Sequence, residues 1–141
     1  MNLTKRFVAG LVIASALLIV TTGIVYVATQ VKAIHTMPMT LQIVPAGPTG
    51  FDLNVTVMTF GRLPPGGAVT RYFEVNNTNG VPVKVVAKAR GSIARFTVIT
   101  PAVTILQSDQ RTLTIQVEAR IPDDATPGNH TGTFTVYVMK P

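Results

Sequence analysis

The chain has no cysteine. That excludes a disulfide, a thiolate metal site and a cysteine nucleophile at once. A domain displayed outside the cytoplasm would then be held by packing alone. Tryptophan is also absent, histidine occurs only twice, and charged residues make up only 13% of the 141. Beyond residue 34 the only serines are Ser92 and Ser108, and no Gly-x-Ser-x-Gly is present. No glycine-rich loop leads into a helix, so the usual phosphate cradle is missing as well. Six acids are scattered along the chain, and the adjacent pair Asp123 and Asp124 sits in a Pro/Gly-rich segment. Aspartate there serves the backbone by bonding nearby N–H groups. Nothing in this inventory builds an enzyme, and no cofactor is implied.

One long apolar run is present. Residues 7–28 carry no charge, from Phe7 through Leu17 and Leu18 to Val27 and Ala28. As a helix these residues extend about 33 Å, enough for a bilayer core of about 30 Å. Lys5 and Arg6 stand just before the run. The positive-inside bias places such a start in the cytoplasm and everything after residue 32 outside. Three fates fit the segment. It is an uncleaved anchor, a secretory signal cut after Val31-Lys32-Ala33, or a prepilin-type helix cut near Lys5-Arg6. A signal core is usually about 7–15 residues, so the length of the run favours the anchor. The net charge of +6 is partly the flank of this segment. From Ile34 onward nine basic residues face six acidic ones, too small an excess to argue for nucleic acid.

After residue 38 the pattern changes to period two. Leu113, Ile115, Val117 and Ala119 alternate with Thr112, Thr114, Gln116, Glu118 and Arg120. Val83, Val85, Ala87 and Ala89 alternate with Lys84, Val86, Lys88 and Arg90, and Phe134, Val136 and Val138 with Thr133, Thr135 and Tyr137. Phe51, Leu53, Val55 and Val57 alternate with Asp52, Asn54, Thr56 and Met58. Strand side chains point to opposite faces in turn, so each run predicts one buried and one wet face. Val69, Phe73 and Val75 share a face with Arg71, which must therefore reach an edge or a partner. Shorter strands are expected at 39–44, 95–99 and 103–106. Turn clusters separate the runs at Pro45-Ala46-Gly47-Pro48, Leu63-Pro64-Pro65-Gly66-Gly67, Asn76-Asn77-Thr78-Asn79-Gly80, Gln107-Ser108-Asp109-Gln110 and 122–128. Seven or eight strands at this spacing predict an all-β, two-sheet sandwich, preceded by one N-terminal transmembrane helix. The division expected is a basic tail over 1–6, the helix or signal anchor over 7–30, a linker over 31–38 and an extracytoplasmic sandwich over 39–141.

An ordered series of segments carries a resemblance. Phe73-Glu74-Val75-Asn76-Asn77 is followed by Val81-Pro82-Val83-Lys84-Val85, Leu113-Thr114-Ile115-Gln116-Val117, Ile121-Pro122-Asp123-Asp124-Ala125-Thr126-Pro127-Gly128 and Thr131-Gly132-Thr133-Phe134-Thr135-Val136. Over roughly residues 65–139 this resembles the immunoglobulin-like sandwich modules of archaeal and bacterial surface proteins. The resemblance implies a last hairpin carrying the Pro-x-x-Ala-x-x-Gly segment. It speaks to fold rather than activity. Some relatives of this plan, the bundling-pilus and TasA-like fibre subunits, polymerise by donating an N-terminal strand.

Three groups are candidate sites. His35, Met37 and Met39 offer soft ligands of the kind that suits Cu(I), with Met39 and Pro38 equally suited to opening a strand. Asn54, Asn76 and Asn129 each begin an Asn-x-Thr sequon. Lys84, Lys88 and Arg90 share one face of one strand, with Arg95 close in sequence, and suit an anionic glycan, lipid head groups or an acidic partner, or else a solvated face that resists edge pairing. The function expected is non-catalytic: a single-pass membrane protein whose sandwich is structural, adhesive or accessory, meeting a protein partner or another copy through a sheet edge or face. No nucleic acid and no small-molecule substrate are expected. A secreted filament subunit that adds the strand at 34–44 to its neighbour is the alternative, and a copper-binding surface protein is a second.

Overall fold

The computed structural model describes residues 3–45, 56–78 and 80–141. The chain divides into two compact units, Met1–Lys32 and Ala33–Pro141. The first contains one helix, α1 (Leu3–Gln30). Within it the stretch Arg6–Gln30 is long and apolar enough to cross a membrane. Its described side chains are exposed on every side. A helix apolar all round finds a favourable environment only in lipid or in a large core. Its aliphatic hydroxyls turn back on the helix: Ser15 Oγ donates to the Leu11 carbonyl at 2.9 Å, Thr21 Oγ1 to Leu17 at 2.9 Å, Thr22 Oγ1 to Leu18 at 2.7 Å and Thr29 Oγ1 to Tyr26 at 2.8 Å. No water is then needed to satisfy them, which is the condition lipid imposes.

Among its described residues the second unit is built of β-strands, with one 3₁₀ turn (Ala94–Phe96). Its strands are β1 (Val31–Ile43), β2 (Met58–Leu63), β3 (Ala68–Asn76), β4 (Val83–Gly91), β5 (Thr97–Thr100), β6 (Val103–Leu106), β7 (Thr112–Arg120) and β8 (Gly128–Met139). They form a five-stranded sheet in the order β2-β1-β8-β4-β6 and a three-stranded sheet in the order β3-β7-β5. From β3 onward successive strands belong to opposite sheets. The 122–128 segment is therefore a crossing between β7 and β8 in different sheets, and the hairpin expected there is not formed. Its turn is real: the Ala125 N–H bonds the Pro122 carbonyl at 3.1 Å.

The inward faces form one core. Met39, Leu41 and Ile43 come from β1, Val83, Val85 and Ala87 from β4, Ile115, Val117 and Ala119 from β7, and Phe134 and Val136 from β8. Phe73 of β3 meets Phe134 of β8 edge to face, ring centres 5.5 Å apart, across the two sheets. Burying each of the valine, leucine, isoleucine, methionine and phenylalanine side chains contributes about 1.5–3 kcal/mol. Arg71 also points inward. Its Nε donates to the Thr59 carbonyl of β2 at 2.8 Å, so an arginine of one sheet ties the edge strand of the other. The partner its position demanded is a backbone oxygen.

Three expectations change. The linker expected over 31–38 is extended strand, because β1 begins at the residue after α1. β2 was not foreseen. It carries an irregularity: Thr40 pairs with Thr59 and Gln42 with Arg62, so three steps on β2 oppose two on β1. Gly61, at φ 76°, takes up the extra residue. The bulge puts Met58, Phe60 and Leu63 all inside and destroys the period-two signal. The strand expected over 95–99 begins instead as the 3₁₀ turn. Of the strand expected over 51–58, residues 51–55 lie outside the described residues, and Met58, expected on the wet face, is buried as the first residue of β2.

Gly91 and Gly132 are cross-strand partners on β4 and β8. A Cβ on Gly132 would collide with the backbone carbonyl of Arg90 on β4 and lie 2.6 Å from Ile93 Cγ2, whereas one on Gly128 would meet only His130 Nε2 at 3.8 Å. Gly132→Ala should therefore lower unfolding stability by about 1–3 kcal/mol. Gly128→Ala should change it by less than about 0.5 kcal/mol. Urea unfolding of the full chain in detergent, followed by tyrosine fluorescence, measures both.

Candidate functional site

The two sheets present differently composed outer faces. On the five-stranded sheet, Lys84, Val86, Lys88 and Arg90 of β4 point outward, opposite the inward Val83, Val85 and Ala87. The register places Met139 beside Lys84, Tyr137 beside Val86, Thr135 beside Lys88 and Thr133 beside Arg90. On the other side of β4, Ile105 lies beside Lys84 and Val103 beside Val86. Hydroxyls continue the surface across the sheet. Thr36 Oγ1 donates to Thr135 Oγ1 at 3.4 Å, and Thr40 Oγ1 to Thr59 Oγ1 at 3.3 Å. Arg62 of β2, opposite Gln42, adds a cation near the far edge. Among the described residues, the strands of this sheet carry no aspartate or glutamate.

The outer face of the three-stranded sheet carries both signs. Glu74 sits opposite Thr114, and Glu118 lies between Thr70 and Val98. Arg120 Nη2 pairs with Glu118 Oε1 at 3.0 Å. An exposed pair of this kind contributes about 0–1 kcal/mol. Tyr72 stands exposed on the same face, beside Gln116.

The metal candidates do not gather. Met39 is 0% exposed and fills the core, Met37 is half-buried against it, and His35 is exposed. They are alternate residues of one extended strand, spaced about 6.6 Å apart along it. The burial of Met39 assigns its thioether to packing. No group of three or more His, Asp or Glu converges among the described residues. Asp123 lies over the neighbouring turn, where its Oδ1 occupies the space a side chain at Gly66 would need. That turn is pinned to the start of the β7–β8 crossing by Gly66 N–H to Ile121 O at 3.0 Å and Ile121 N–H to Gly67 O at 2.9 Å.

Of the sequons, Asn54 lies outside the described residues. Asn129 is exposed at the start of β8. Asn76 is exposed at the end of β3, where its Oδ1 accepts from Thr112 Oγ1 at 3.1 Å. Asn76 also lines an open polar cleft with Asn77, Thr78, Ser108, Arg111 and Thr112. The buried Asn77 is occupied structurally: its Nδ2 bonds the Val81 carbonyl at 2.8 Å and its N–H the Arg111 carbonyl at 2.7 Å.

Two features escape a reading of the sequence. Arg62 joins the cationic face only because the Gly61 bulge turns it outward. Arg95 leaves the β4 group expected for it and stacks over Phe96 at 4.7 Å, and Phe96 meets the His130 ring edge to face at 4.8 Å. His130 Nδ1 is buried and has no hydrogen-bond partner among the described residues. Phe96 and His130 are remote in sequence, so only the fold brings them together. Comparison with known family models, curated proteins and solved structures finds no match.

The core assignment of Met39 is testable without metal. Met39→Ala should cost about 2–5 kcal/mol of unfolding free energy in chelator-treated protein. His35→Ala should stay within about 0.5 kcal/mol. A Met39 variant that loses stability only when copper is present would restore the ligand role.

Proposed function

We propose that the chain is a single-pass membrane protein that displays an immunoglobulin-like sandwich outside the cytoplasm and acts without catalysis, as a structural, adhesive or accessory component. The observation that carries this reading is α1. It is apolar on every side, the hydroxyls of Ser15, Thr21, Thr22 and Thr29 bond its own backbone, and the chain runs from it directly into a β unit with a closed core. Lys5 and Arg6 favour a cytoplasmic N-terminus. The immunoglobulin-like reading draws support from the alternation of β3 to β8 between the sheets, which a simple meander of hairpins does not have. Presentation is the mechanism: the helix restrains the unit near a bilayer, and an outer sheet face makes the contact.

The filament reading requires β1 to leave its own unit and complete a neighbour. Met39, Leu41 and Ile43 instead fill the chain's own core, and β1 lies between β2 and β8 rather than at an edge. This favours the anchored form. Display outside the cell also makes Asn76 and Asn129 accessible acceptors in an organism that glycosylates Asn-x-Thr.

The absence of cysteine gives a direct test of orientation. Thr114→Cys, exposed on the three-stranded sheet, should react in intact cells with a maleimide that cannot cross membranes. Labelling only after lysis would place the β unit inside and remove the display role.

A further inference from the structure

We propose that the outer face of the five-stranded sheet docks on an anionic lipid surface. The proposal rests on the reading of α1 as a membrane anchor and names the surface that the anchored unit meets. Lys84, Lys88 and Arg90 project from one side of β4, and Arg62 from the same side of β2. The described strands of this sheet offer no carboxylate to neutralise them, whereas Glu74 and Glu118 both lie on the other sheet. The cations are therefore free to recruit negative charge from outside the molecule.

Charge alone would equally suit an acidic protein. The composition of the edge decides for lipid. Val103 and Ile105 of β6 are 56% and 48% exposed, and they flank Val86 and Lys84 on the same outer face. A lipid interface answers both halves of this surface at once: headgroup phosphates meet the cations, and the acyl boundary takes the aliphatic groups. Tyr137, next to Val86, is a side chain suited to that boundary. Tethering adds to the effect. Thr36, whose hydroxyl bonds Thr135 in the same row as Lys88, is only six residues beyond Gln30, the last residue of α1. A short tether makes the second contact effectively intramolecular, so cations too few for independent binding suffice.

Because the chain lacks cysteine, a single nitroxide reports on one face. One label at Thr133→Cys, beside Arg90, reads the cationic face, and one at Thr114→Cys reads the opposite sheet. The full chain is placed in nanodiscs of phosphatidylcholine alone or mixed with phosphatidylglycerol. With phosphatidylglycerol, collision of the Thr133 label with a water-soluble nickel chelate should fall by about threefold or more, and added salt should reverse the fall. The Thr114 label should not respond. The combined variant Lys84→Gln, Lys88→Gln and Arg90→Gln should abolish the response at Thr133. Equal accessibility in both lipids, or a fall that survives in that variant, overturns the proposal and leaves the face to an acidic protein. If the chain does not enter nanodiscs, the anchor reading falls. The same labelled chain is then mixed with phosphatidylglycerol vesicles: a cation-dependent fall at Thr133 upholds the face without the anchor, and no fall overturns both.

Discussion

Closure of one apolar layer between two sheets is the constraint on which the β unit depends. With no cross-link available, every strand must commit one face to that layer. Phe60, Phe134, Ile115, Val117 and Val136 are all essentially inaccessible to solvent. The crossings between sheets reinforce the layer, because each connection from β3 onward spans it. Arg71 shows how strict the demand is. Its inward position would be costly in an unbroken apolar layer, and the bond to the Thr59 carbonyl converts it into a tie between the sheets.

The same commitment decides what is left for contact with other molecules. Side chains not drawn inward are sorted by sheet, and the sorting separates charge. One outer face combines cations, hydroxyls and an aliphatic edge; the other combines carboxylates, an arginine already paired with Glu118 and an exposed tyrosine. A unit without a converging group of metal ligands among its described residues still has two chemically distinct surfaces.

Much of this was readable from alternation. The inward sets on β4, β7 and β8 follow period two, and Arg71 stood out because it broke an apolar face. The helix was equally plain, since a run such as 7–28 has few other homes. What alternation does not carry is partnership. Nothing in the β7–β8 segment shows that its turn crosses between sheets instead of closing a hairpin. The bulge at Gly61 hides β2, because an extra residue shifts the phase halfway along a six-residue strand. Extension of β1 back to Val31 is silent too: His35, Thr36 and Pro38 are exposed, so no buried face marks them as strand. The Arg95–Phe96–His130 stack joins positions that no local pattern links. The candidate copper residues were legible as residue types, yet the burial of Met39 is a property of the folded core.

The order of strands in the five-stranded sheet carries a consequence for biogenesis. Its middle strand, β8, follows all the other described strands in chain order, and it separates β1 from β4. Until residues 128–139 emerge from the ribosome, those two strands have no common neighbour and the sheet cannot close. Pairings of such long range form late in any case. The five-stranded sheet is thereby completed in one step: when β8 pairs, it brings β1 and β2 together with β4 and β6.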